Sequence, residues 1–278
     1  MRTALAGAVL AASLVAALGA YAHGTLPERL VLASRQVAAS PEAAEPLLRR
    51  ADLQRRAGDW GAALADLRQA ALRAPNLPAL ELLRARIYLD RGDPEGSLPP
   101  LARLLLALPC HVAALVQQGH ALRALERPLD AAGSYAAAAG CGGLADPQLV
   151  MDHAGALLDA GEIHTGAALA TLDRGIEALG SVPALVRRAV EIEVAAGRLD
   201  AACARVDRQL IHTPSSPDWH ARRAELQRAA LHPEAARTSY EEALRLLRAR
   251  RSDAPAFAKL RARVEDALRE LGGMGDAP

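Results

Sequence analysis

The sequence predicts an all-α chain built as a solenoid of helical hairpins, and three observations carry that expectation. A motif returns about every 34 residues: Gly58-Asp59-Trp60 with Ala63, Gly92-Asp93-Pro94 with Ser97, Gly161-Glu162-Ile163 with Gly166, and Gly197-Arg198-Leu199 with Ala202. Weaker copies stand at Glu126-Arg127-Pro128 with Ala131 and at Leu231-His232-Pro233 with Ala236. The composition is 51% apolar but only 3% aromatic, with Ala and Leu dominant, which favours helices that approach one another closely. No stretch alternates apolar and polar residues over the length of a strand. In a solenoid each repeat touches only its neighbours, so the 278 residues do not translate into a count of globular domains.

Taken in order, the first element is the segment 1–22. Met1-Arg2 precedes an uncharged run of about 17 residues, Ala4 to Ala20, and Ala20-Tyr21-Ala22 offers small residues at the −3 and −1 positions of a cut before His23. A positive start, an apolar stretch and an A-x-A ending describe a secretory signal peptide. The competing expectation is an uncleaved anchor, for which the run is at the short edge. Cleavage implies a periplasmic or secreted protein, whereas retention implies one held at a membrane. With Cys110 the first cysteine, a lipid-modified cysteine anchor is not expected.

Residues 23–43 read as a leader helix with Leu26, Leu30, Val37 and Ala38 on one face, ended by Ser40-Pro41. Six hairpins follow over 44–250, at about 44–77, 78–111, 112–145, 147–182, 183–216 and 217–250. Their small, turn and packing residues are Ala51, Gly58, Trp60, Ala63, Leu67, Ala70 and Pro75 in the first, and Ala85, Tyr88, Gly92, Ser97, Leu101 and Pro109 in the second. The third has Gly119, Leu122, Ala131, Tyr135 and Ala138, and the fourth has Ala154, Leu157, Gly161 and Gly166, then two extra residues through Gly180-Ser181-Val182-Pro183. The fifth has Gly197, Leu199, Ala202, Val206, Leu210 and Pro214, and the sixth Ala224, Ala236, Tyr240, Ala243 and Leu244. This register resembles the tetratricopeptide repeat (TPR), a helix–turn–helix unit of about 34 residues. The resemblance implies a right-handed TPR solenoid.

Pro94, Pro128 and Pro233 depart from the family by occupying a slot that often holds Tyr. Proline fits the first turn of a helix, where its missing N–H would be unpaired anyway. The last segment, 251–278, reads as a capping helix and tail. Phe257, Leu260, Val264 and Leu268 form one stripe between Ala256 and Leu271, as needed to shield the end of an open array.

The resemblance implies a protein-interaction scaffold whose concave, first-helix surface takes an extended peptide or a helix. Its inward positions fall on Arg49, Asp52, Arg55, Arg56, Arg86, Leu89, Asp90, Gln117, His120, Arg123, Met151, Asp152, Leu158 and Asp159, then Arg187, Arg188, Glu191, Arg222 and Glu225. Arginine forks there can grip carboxylates; alternatively, these charges simply solvate amphipathic helices. The formal charge of +1 gives no sign of a nucleic-acid partner, and Lys259 is the only lysine. No phosphate loop, H-E-x-x-H, CxxC or G-x-S-x-G occurs, so neither an enzyme nor a cofactor is expected. Cys110-His111, His120 and His153 fall in neighbouring hairpins but lack metal-ligand spacing. Cleavage after Ala22 would give His23 a free α-amine beside its imidazole, a two-nitrogen chelate suited to copper, so a metal-handling periplasmic protein is the alternative function. Cys110 precedes the first helix of the third hairpin and Cys141 ends the second. An antiparallel hairpin brings those ends together, so a disulfide is expected if the compartment is oxidising, and three unlinked thiols otherwise. Cys203 is expected to be a buried free thiol.

Overall fold

The computed structural model describes residues 24–250 and 254–273. The signal-like segment and His23 lie outside the described residues. Among the described residues every regular element is helical, and no helix is long and apolar enough to cross a membrane.

The chain divides into two compact units, Met1–Cys141 and Gly142–Pro278. The first holds a leader helix, α1 (Leu26–Ala39), and three hairpins: α2 (Ala44–Arg56) with α3 (Trp60–Arg73), α4 (Pro78–Asp90) with α5 (Pro94–Ala107), and α6 (Val112–Ala124) with α7 (Pro128–Gly140). The second opens with a 3₁₀ turn, Gly143–Ala145, and continues with α8 (Pro147–Asp159), a 3₁₀ turn Glu162–His164, and α9 (Thr165–Leu179). Then come α10 (Pro183–Ala195) with α11 (Leu199–His212), α12 (Pro217–Ala229) with α13 (Pro233–Ala249), and α14 (Pro255–Gly273). Pro94, Pro128 and Pro233 each stand at the first position of a second helix, where the lost N–H costs nothing.

Each of the six first helices is 13 residues long, and the hairpins share one packing register. The fourth residue of every second helix is small and fully buried: Ala63, Ser97, Ala131, Ala168, Ala202 and Ala236 are all 0% exposed. The eighth residue of the first helix is its counterpart, namely Ala51, Ala85, Gly119, Ala154, Val190 and Ala224, all buried. Small side chains at both points, or Ala202 facing Val190 in the fifth hairpin, let the two backbones approach, and larger ones close around them. In the third hairpin a Cβ on Gly119 would lie 2.4 Å from Cε1 of Tyr135, so the glycine makes room for the ring. Around Ala51 and Ala63 the first core gathers Leu47, Leu67, Leu80 and Ile87.

Four sequence expectations are corrected. The two extra residues of the fourth repeat do not lie at its end: they form the 3₁₀ turn between α8 and α9, which moves the close-packed position from Gly166 to Ala168. Gly166 is exposed. Trp60 is half-buried, packed along the edge of the first core with its ring against Gly58. Its place in the first turn puts it over the hairpin's end rather than in the crossing. On α1 the buried residue is Ala33, while Ala38 is exposed, because only one stripe of a single leader helix has a neighbour to cover it. Cys203 is free and only half-buried. The capping stripe of α14 does pack, burying Leu260, Val264, Ala267 and Leu271 against Tyr240, Ala243 and Leu247.

The turn inside each hairpin requires a left-handed residue. Gly58, Gly92 and Gly197 supply it at φ of 79°, 80° and 71°, but Glu126 and Leu231 adopt φ of 56° and 61° with a Cβ in the way. The turn is closed by backbone bonds such as His232 N–H to Gln227 O at 2.8 Å, which hold the strained residue in place. Cys110 and Cys141 are joined by a disulfide, Cα atoms 5.3 Å apart, which clips the open end of the α6–α7 hairpin. The loop it closes is of a size for which chain entropy gives roughly 3–4 kcal/mol.

Two stability outcomes follow from this register. Ala63→Leu overpacks the first crossing and should cost roughly 1–3 kcal/mol in chemical denaturation. Leu231→Gly should add about 1 kcal/mol, since it removes a left-handed Cβ while giving up a side chain that is 86% exposed. A lower midpoint for Leu231→Gly would show that the turn is held by the leucine itself.

Candidate functional site

The first-helix face of the unit Met1–Cys141 is built from α2, α4 and α6. Its charges are largely committed to one another. Arg49 pairs with Glu45 one turn away at 2.8 Å. Asp52 accepts from Arg55 at 2.9 Å and from Arg56 at 2.8 Å, and Arg55 reaches across to Asp90 on α4. The chain Arg56–Asp52–Arg55–Asp90 thus ties two neighbouring first helices together, which uses up groups expected to grip a partner. Arg86 is half-buried and makes no ion pair among the described residues. His120 meets Tyr135 edge-on, ring centroids 5.8 Å apart, and Arg123 is half-buried in the last turn of α6.

The same face of the unit Gly142–Pro278 is more open. A cleft of about 560 Å³ is lined by Leu158, Glu162 and Thr165 on one side and by Arg188, Glu191, Ile192 and Arg198 on the other. A second, of about 260 Å³, lies between α10, α12 and α14, with Arg187, Glu191, Trp219, Arg222 and Arg263 around it. Glu191 borders both, so the two clefts run on along α10. Arg187 is exposed and has no ion pair among the described residues; Arg188 pairs with Glu191 at 3.2 Å. Arg222 pairs with Glu225 at 3.0 Å, and Arg263 of α14 donates to the same carboxylate. Apolar floor, arginine donors and carboxylate acceptors alternate along this face, the combination that binds a peptide main chain with its side chains.

A layer of buried polar residues escaped the sequence reading. The seventh residue of each second helix is Asp66, Pro100, Ser134, Thr171, Arg205 or Ser239, and the five polar ones are buried. Three of them bond to the first helix at a spacing of 16. Arg50 donates twice to Asp66 at 2.7 Å, Ser134 donates to Gln118 at 3.1 Å, and Arg223 donates to Ser239 at 3.0 Å. In the fifth hairpin Arg205 donates two bonds to Glu193, at 2.7 and 3.0 Å, and a third to Asp173. Burial alone would lower the Arg205 pKa, but these hydrogen bonds raise it, so the group stays charged. The only signal was Glu193, one of two glutamates in Val190-Glu191-Ile192-Glu193-Val194 and not distinguishable there from the exposed Glu191. Its meaning depended on which residue of the facing helix stood opposite.

Histidine and cysteine serve packing and capping. Nδ1 of His111 accepts from the Ala114 N–H and caps α6. His153 is buried, and burial, with Arg174 nearby, pushes its pKa down, so it is neutral at pH 7. Burial, then Asp207 and Asp200, push the Cys203 thiol up, which lowers its thiolate fraction at neutral pH. Among the described residues no group of three or more His, Cys, Asp or Glu side chains is placed to hold a metal ion. His23, the residue on which copper binding was expected to rest, is outside the described residues.

No family model matches the chain, and no curated protein matches it. Solved structures do. The C-terminal part of a TPR repeat-containing protein from Cytophaga hutchinsonii is similar at a TM-score of 0.58 and 16% identity, covering 81% of this chain and 84% of that one. A tetratricopeptide repeat protein from Parabacteroides merdae is similar at 0.53 and 15%, covering 91% and 97%. The structure of Naa15/Naa10 bound to HypK-THB is similar at 0.51 and 15%, covering 93% of this chain but 45% of the longer one. The chain has the tetratricopeptide-repeat fold, an all-α helical repeat solenoid.

Proposed function

From the tetratricopeptide-repeat fold we infer that this chain is a non-catalytic scaffold that docks a partner protein, as an extended peptide or a helix, on the first-helix face of the unit Gly142–Pro278. One observation carries the reading: two clefts share Glu191, and the second is bordered by Arg187, which is exposed and has no ion pair among the described residues. A bound segment could lay apolar side chains over Leu158, Ile192 and Trp219 while its carboxylates meet Arg187 and Arg198. Scaffolding suits the fold's use elsewhere, since the similar Naa15/Naa10 structure is a complex with bound HypK-THB.

The scaffold works outside the cytoplasm in this proposal. Support comes from Met1-Arg2, the apolar run and Ala20-Tyr21-Ala22, and from the Cys110–Cys141 bridge, which suits an oxidising compartment.

Two outcomes are expected. Arg187→Glu with Arg188→Glu should weaken partner capture about tenfold, leaving helicity by circular dichroism unchanged. Capture equal to the parent's, measured with the same partner, would exclude this face. Intact-mass analysis and non-reducing peptide mapping of envelope-purified protein should find a chain beginning at His23 with Cys110 and Cys141 linked and Cys203 free. A chain beginning at Met1 in the membrane fraction would replace secretion by anchoring.

A further inference from the structure

The polar layer of the second helices has one gap. In the second hairpin its position is Pro100, whose ring carries no group that can donate or accept a hydrogen bond. Arg84 stands where Arg50 and Arg223 stand in their hairpins, but without a partner opposite. It turns instead to Glu81, three residues back, at 3.0 Å, and the same carboxylate takes Arg103 of α5 at 2.7 Å. One acid therefore serves two guanidinium groups. Arg68 of α3 is exposed and makes no ion pair among the described residues. Arg91 lies over the Tyr88 ring, 4.5 Å from its centroid, and bonds to Asp93.

These four arginines border an open cleft of about 600 Å³, walled also by Leu64, Tyr88 and Pro99. Against them stand two carboxylates, Glu81 and Asp93, so the cleft keeps a surplus of two positive charges. Its α5 wall also offers acceptors. Pro99 and Pro100 lack an N–H, so the carbonyls of Glu95 and Gly96 lose their usual helical donors. Carboxylate-seeking forks, the Gly96 carbonyl freed of its usual helical donor beside the cleft, and an aromatic face together match a peptide, which brings acidic side chains and main-chain N–H groups at once. A polyphosphate brings only the first, and a formal charge of +1 gives the chain no long-range field to draw one in.

We propose that the cleft between α3, α4 and α5 is a second docking site, specific for an acidic, extended segment of a partner protein, with Arg68, Arg84 and Arg103 binding its carboxylates. The site lies in the unit Met1–Cys141, whereas the first-helix groove lies in the other unit, and it does not depend on that groove for its chemistry.

The test is fluorescence anisotropy of the full processed chain with a short labelled peptide of alternating Glu and Ala, repeated with Gln in place of Glu. The Glu peptide should bind in a salt-dependent way, and the Gln peptide should bind at least about tenfold more weakly. Arg68→Glu with Arg103→Glu should weaken the Glu peptide about tenfold or more, while Arg237→Glu with Arg269→Glu, the same charge change at two exposed arginines elsewhere, should not. Pro100→Asp gives Arg84 the partner that Arg50 has in the first hairpin, and should weaken binding without touching a surface charge. The proposal is overturned if the Glu peptide does not bind, if both double variants weaken it equally, or if Pro100→Asp binds like the parent. Displacement by inorganic phosphate as effective as by unlabelled peptide would reduce the cleft to a bare anion site and likewise overturn it.

Discussion

The fold depends on one steric condition met six times: a small residue four positions into each second helix, facing the eighth residue of the first. Ala63, Ser97, Ala131, Ala168, Ala202 and Ala236 have no exposed surface at all. Close backbone approach there allows Leu67, Leu101 and Tyr135 to fill the space one turn further on. Because interiors are packed at crystal-like density, the approach cannot be relaxed at one hairpin without moving the next. The left-handed turn residue belongs to the same condition. It fixes how many residues separate the two crossing points, and Glu126 and Leu231 hold that geometry despite their side chains, because the packing on either side outweighs roughly 1–2 kcal/mol of local strain.

Within this frame the charges sort by position. Those on the first-helix face of the unit Met1–Cys141 satisfy one another through Asp52 and Asp90, and their ion pairs join α2 to α4. Asp52 and Arg55, which these pairs share, are half-buried, and the pairs fix the side chains they join and leave fewer unpaired charges on that surface. In the other unit Arg187 remains exposed and the face is hollowed into clefts. The buried pairs behave differently. Arg205 with Glu193, and Arg50 with Asp66, are held by two bonds each, and removing one partner would leave a charge in a site built for two. Pro100 interrupts that layer in the second hairpin and leaves an arginine-rich cleft at the interruption.

By itself the sequence determined the helical repeat, the hairpin turns and the capping stripe of α14, because each depends on local chemistry or on a period along the chain; it brought Cys110 and Cys141 to one end of a hairpin but left their bridge open. A small residue, a turn glycine and a proline at a helix start mean the same thing wherever they recur. The tertiary structure alone decided the rest. The insertion in the fourth repeat reads from the sequence as lying after α9, and only the burial of Ala168 in place of Gly166 moved it to the turn before α9. The face assigned to partner binding was legible as a row of positions, but not as groove or ladder, since the difference lies in whether Asp90 on one helix reaches Arg55 on another. Periodicity fixes which residues face a neighbour, whereas ion pairing and clefts depend on what the neighbour presents in return, and that is settled only when the helices meet.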